Sequence, residues 1–129
     1  MRLKSFIDRS WPGAVRTKGF FWLATRPNHV GEISQAGALI RTARRGLWWA
    51  SIPRRQWPDH PEWRAAMKPY LDPIWGDRRQ EIVFIGCDPM DERQIRADLD
   101  ACLVAERDFS PGRWRDLPDP FPSWDSRAA

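Results

Sequence analysis

The chain has 129 residues, 42% hydrophobic and 29% charged, with a formal net charge of +4 and a pI near 9.7. That length holds one core and not two, and the composition is globular, not disordered. No apolar run approaches the roughly eighteen residues of a membrane span, and Met-Arg-Leu-Lys-Ser-Phe-Ile-Asp lacks the apolar centre of a secretion signal, so a cytoplasmic location without membrane contact is expected.

In chain order, Arg2 to Arg9 reads as a short helix with Leu3, Phe6 and Ile7 on one side, stopped by Ser10-Trp11-Pro12-Gly13. Val15 to Pro27 reads as the central strand, because apolar or small residues alternate with charge and then run unbroken through Phe20, Phe21, Trp22, Leu23 and Ala24. Period two puts Val15, Phe21 and Leu23 on a core face. It puts Arg16, Lys18, Phe20, Trp22, Ala24 and Arg26 on an aromatic face rimmed by cations. Glu32–Ala36 and Ala38–Ala43 read as short strands broken at Gly37 by a bulge or a turn, and Arg44-Arg45-Gly46 as a hairpin connection into a strand Leu47–Ile52 that Pro53 ends. If Trp48 and Trp49 lie in that strand they face opposite ways, so one needs cover other than the main core.

Asp59 before His60-Pro61-Glu62 signals a helix with Trp63, Met67 and Leu71 on one face, and Pro69 predicts its end or a kink near Lys68. Gly76-Asp77-Arg78-Arg79 is a charged turn into the apolar strand Gln80–Cys87. The last helix starts at an Asp91 cap, with Gln94 closing a capping box and Met90 stapled to Ile95, and buries Ile95, Leu99, Cys102 and Leu103. Residues 106–129 form a tail whose prolines space out Trp114, Phe121 and Trp124, expected to be extended and clamped to the body through those rings. The fold class is α+β in a single domain: an antiparallel sheet of four to five strands with helices packed on one face.

Lys18-Gly-Phe-Phe-Trp-Leu-Ala-Thr-Arg-Pro27, Ser34-Gln-Ala-Gly37, Gly46-Leu-Trp-Trp-Ala50, Gly76-Asp-Arg-Arg-Gln-Glu-Ile-Val-Phe-Ile-Gly86, Leu99-Asp-Ala-Cys-Leu103 and Asp119-Pro-Phe-Pro-Ser-Trp124 are six ordered motifs. Together they resemble the C-terminal domain of the CobW family, GTP-dependent metallochaperones associated with zinc and, in some branches, with cobalt or nitrile hydratase maturation. The resemblance covers nearly the whole chain, yet only the last part of a typical member. It implies a role in metal homeostasis, zinc or cobalt as the metal served, and a P-loop GTPase or a client metalloprotein as partner. None of the eight glycines opens a Gly-x-x-x-x-Gly-Lys-[Ser/Thr] loop, and the Cys-x-Cys-Cys of the GTPase domain is absent, so GTP hydrolysis belongs to no residue of this sequence. Met1 stands just before the first helix, as in either a stand-alone version of the domain or a cut at its boundary.

No Ser-centred elbow, paired carboxylates or nucleophile with a base is visible, and the chain is expected to be non-catalytic with no cofactor of its own. His29 with Glu32, and His60 with Asp59 and Glu62, are plausible zinc ligands without signature spacing; the plainer reading is solvated loop histidines, with His29 in a surface turn. Cys87 and Cys102 read as buried thiols, making neither a disulfide framework nor a Cys-x-x-Cys knuckle. The basic clusters Arg41, Arg44, Arg45 and Arg54, Arg55 read as a solvated face.

Two surfaces are candidates for partner binding. Around Asp77, either Asp77 accepts backbone amides while Arg78 and Arg79 stay solvated, or the two arginines bond a partner's carboxylate. The face of Phe20, Trp22 and Arg26 is either covered by the tail or docks a partner. From another class, single-stranded nucleic acid remains an alternative, since aromatics and cations on an α+β sheet also stack bases.

Overall fold

The computed structural model describes residues 2–9, 11–104, 111–114 and 116–124. Four strands, β1 (Ala14–Trp22), β2 (His29–Ala36), β3 (Leu39–Leu47) and β4 (Glu81–Gly86), form one antiparallel sheet in the order β3-β2-β1-β4. The helices are α1 (Arg2–Ile7), α2 (Pro61–Met67), α3 (Glu92–Asp100) and α4 (Pro111–Trp114), with 3-10 turns at Trp49–Ser51, Arg54–Gln56 and Lys68–Tyr70. This is the expected α+β class, with a three-strand meander and β4 added beside the central β1.

The core lies on one face of β1. Phe21 is fully buried there and packs with Phe6 and Ile7 of α1, Trp11, Leu23, Ile33 of β2 and Phe121 of the tail. Ile82 and Phe84 of β4 and Ile95 and Leu99 of α3 close its edges. Burying such a side chain stabilises by about 1.5–3 kcal/mol, so these residues outweigh any single surface ion pair. Thr17 and Gln35 are polar but satisfied: the Thr17 hydroxyl donates to Gln35 Oε1 at 2.7 Å, and Gln35 Nε2 donates to the Gly37 carbonyl at 3.0 Å. The β2–β3 hairpin turns at Gly37 and Ala38, with Gly37 at φ +60.

Several local expectations are corrected. A bulge between Ala14 and Arg16 gives the core position to Ala14 and leaves Val15 exposed, shifting the alternation by one residue. β1 stops at Trp22, where the chain turns with the Arg26 amide donating to the Leu23 carbonyl, so Arg26 leaves the face of Phe20. Arg44-Arg45-Gly46 is a bulge inside β3, not a hairpin turn, and Leu47–Ile52 is not a strand. His60, not Asp59, occupies the N-cap position of α2 and makes no side-chain capping bond, and Gln94 Nε2 bonds Asp98 instead of closing a capping box. The Asp91 cap itself forms, its carboxylate accepting the Gln94 amide at 3.1 Å. Cys87 and Leu103 are exposed, and Cys102 is half-buried. The tail is not extended throughout, because Pro111–Trp114 forms a helical turn, but its rings do clamp it to the body; 106–110 and 125–129 lie outside the described residues.

Candidate docking surface

Because Phe21, Ile33 and Ile82 face the helices, period two sends their strand neighbours to the opposite face. From Phe20 downward the registers align that outer face in three four-strand rows: Ala43-Glu32-Phe20-Glu81, Arg41-Ser34-Lys18-Val83, and Leu39-Ala36-Arg16-Ile85. The first row is built over at Phe20 and the other two are open.

Trp48, 2% exposed, closes the first row by packing edge-on against Phe20 with ring centroids 5.9 Å apart. Trp48 is therefore covered outside the main core, and the reason lies in Asp77. Its buried carboxylate accepts the amides of Trp49 at 3.0 Å and Ala50 at 2.9 Å, which curls the chain into a 3-10 turn after β3. Trp49 then joins Trp57 and Trp63 in a ring cluster, with Trp57 Nε1 donating to the Trp49 and Ile52 carbonyls.

The two arginines of this turn are not solvated. Arg78 donates to the Pro27 carbonyl at 2.7 Å, the Trp75 carbonyl at 3.1 Å and the Ser51 hydroxyl at 2.8 Å, tying three segments together. Burial pulls its guanidinium below the ordinary arginine value, and the charge of Asp77 acts against that. Arg79 lies between the rings of Phe20 and Tyr70, at 5.0 and 4.3 Å, and donates to Glu81 at 2.8 Å and to the Asp77 carbonyl at 2.9 Å.

Trp22 packs against Trp75 and Trp114, so the tail covers it. Trp75 is positioned by a loop that sequence reasoning did not single out. Asp72 and Gly76 exchange two backbone bonds, and the Asp72 carboxylate accepts the amides of Ile74 and Trp75. Those two amides draw the carboxyl below its ordinary value. Trp75 turns inward and Ile74 is left 77% exposed. Arg26 sits on the core side, its guanidinium 4.3 Å from the Trp124 ring. It donates to both Asp119 oxygens and to the Phe121 and Pro122 carbonyls. The six residues singled out in the sequence thus fall into three separate places, each engaged with its own chain.

His29 pairs with Leu47 at the start of β2, not in a surface turn, and period two puts it on the face opposite Glu32. His60 stands exposed at the N-cap position of α2. Among the described residues, no three His, Cys, Asp or Glu side chains gather as a metal site would require. No helix among them is long and apolar enough to cross a membrane.

What stays open is the other two rows. Val83 and Ile85 are 60% and 58% exposed, beside the exposed cations Arg16 and Lys18 of β1 and across the sheet from Arg41 and Leu39 of β3. Among the described residues no ion pair neutralises these three cations.

Residues 1–103 match the family model described as "Cobalamin synthesis protein cobW C-terminal domain". The chain belongs to that family. Within it, this CobW C-terminal domain is 32% identical over 125 residues to "Zinc-regulated GTPase metalloprotein activator 1" of Dictyostelium discoideum, covering 93% of the chain and 26% of the relative. It is 33% identical over 132 residues to "Zinc chaperone Rv0106" of Mycobacterium tuberculosis, covering 95% of the chain and 31% of the relative. The chain therefore spans between a quarter and a third of the length of these relatives. No solved structure matches it at a significant level. The domain is metallochaperone-related, as the sequence motifs implied.

Proposed function

We propose that this CobW C-terminal domain is a non-catalytic, cytoplasmic docking module of zinc homeostasis that engages a P-loop GTPase or a client metalloprotein. Family membership supports the metallochaperone setting, and the names of the two relatives support zinc and a GTPase within it. The observation that carries docking is the contrast within one sheet face. One row is roofed by Trp48 and Arg79, while the next two present aliphatic side chains and unneutralised cations to solvent. Zinc is then handled by the partner, and the domain holds no cofactor of its own.

The aromatic residues that would stack bases in a nucleic-acid module, Phe20 and Trp22, are spent on internal packing. Purified chain is expected neither to bind nor to hydrolyse GTP or ATP, and to bind single-stranded oligo-dT no better than an acidic control protein does. GTP turnover that co-purifies with the chain overturns the non-catalytic part. Tight oligo-dT binding that falls steeply with salt overturns protein docking in favour of nucleic acid.

A further inference from the structure

We infer that the open rows of the outer sheet face bind an amphipathic helix of a protein partner that carries both aliphatic side chains and carboxylates on the face it lays against the sheet. The inference rests on the docking function proposed above and supplies its surface and the chemistry of its partner.

Three properties of the face select that occupant. The first is charge: Arg16, Lys18 and Arg41 lie across the two rows with no acid among the described residues to pair with. Glu32 and Glu81 stand only in the roofed row, and Glu81 is already bonded to Arg79. The complement is therefore negative. The second is side-chain type, because what the face offers beside the cations, on the two edge strands, is Val83, Ile85 and Leu39. These are aliphatic groups that pack against other aliphatic groups and give no ring for a base to stack on, so the negative partner is carboxylate-bearing protein and not phosphate-bearing nucleic acid. The third is size. The sheet is about 14 Å across four strands and the rows lie about 7 Å apart along them. One α-helix of about 10 Å diameter covers that area. Beyond the roof that Trp48 and Arg79 put over Phe20, the exposed Val83, Ile85 and Leu39 leave room for it.

Lys18 and Arg16 belong to a strand paired on both sides, so the partner meets a backbone that is already ordered and binding has only the side chains to fix.

The test uses the full chain, isotope-labelled, and three probes: a synthetic amphipathic helix built from leucine and glutamate, the same peptide with glutamine in place of glutamate, and oligo-dT. Binding is read by amide chemical shifts. The acidic helix is expected to shift Arg16, Lys18, Val83 and Ile85, and the glutamine version to bind about tenfold or more weakly. Lys18→Glu, and separately Val83→Ser with Ile85→Ser, should each weaken the acidic helix by a similar factor while the melting temperature holds. These side chains are exposed, so retained folding is the expectation and the melting curve verifies it. No binding of the acidic helix, equal binding of the glutamine peptide, shifts elsewhere on the molecule, or oligo-dT taking the same face would each overturn the inference. Capture of a GTPase or zinc protein by the wild-type chain tests the docking function without reference to this face. If wild type and Lys18→Glu capture that protein equally, the surface assigned here is wrong and the docking function stands.

Discussion

Arg26 and Asp119, far apart in the chain, meet as a two-pronged ion pair, with Nε to Oδ2 at 2.8 Å and Nη2 to Oδ1 at 3.0 Å. Thr25 adds a third bond to the same carboxylate at 2.7 Å, and the Phe121 amide a fourth at 3.1 Å. The pair fixes the tail at the point where Phe121 enters the core and Trp124 packs under the guanidinium. Asp119→Asn removes the charge and half the acceptor capacity, and should cost about 1–2 kcal/mol, read as a lower melting temperature. Arg26→Lys should cost a similar amount, because an ammonium cannot reproduce the fork or the stacking.

The same pair sets a pH dependence. Burial pushes the Asp119 carboxyl up, but the Arg26 and Thr25 hydrogen bonds, the Phe121 amide and the charge of Arg26 together outweigh it, so the carboxyl titrates below its ordinary value. A depressed carboxylate contributes stability that is complete above the unfolded value of about 3.9 and is lost as pH falls through the lower folded one. The stability gap between wild type and Asp119→Asn should therefore stay constant from neutral pH down to about pH 5 and close only below about pH 4. A gap that closed near neutrality would contradict this.

Asp77 organises the roof over Phe20. Asp77→Ala strands the amides of Trp49 and Ala50 in a part-buried site and should cost about 2–4 kcal/mol, with a change in tryptophan fluorescence as Trp48 loosens. Asp77→Asn keeps one acceptor and should lose about half as much.

Gly31 faces the ring of Phe21 across the β1–β2 pair, and a Cβ there would collide with the ring. Gly31→Ala should destabilise by about 1–3 kcal/mol through overpacking at the most buried ring of the core. Gly37→Ala puts a side chain into open space but at φ +60, so its cost should be the smaller of the two, about 1 kcal/mol. Urea unfolding of both variants gives the comparison.

The elements with strong patterning were legible in the sequence: the apolar runs of β1 and β4, the Asp91 cap and the aromatic clamp of the tail. Three things were not. The bulge at Val15 inverts a face without leaving a composition signal, since Ala14 and Val15 are both acceptable core residues. The turn after β3 is dictated by Asp77, a residue well beyond it in sequence, so Leu47–Ile52 carried only its β-branched and aromatic propensity for a strand. The same long-range bonding moved the candidate site. Phe20, Trp22, Arg78 and Arg79 read as a free aromatic and basic surface because their partners Trp48, Trp75, Trp114, Ser51 and the Pro27 carbonyl lie elsewhere in the chain. Arg16 and Lys18, which the period-two pattern placed on that face, keep it exposed at its other end.

The most direct measurement for the docking function is capture from nuclease-treated native lysate with the full chain as bait, reading recovered proteins by mass spectrometry and metal by elemental analysis. The account predicts a P-loop GTPase or a zinc metalloprotein in stoichiometric yield, insensitive to nuclease, with the zinc travelling with that partner. Recovery of nucleic acid alone, lost on nuclease treatment, would contradict it.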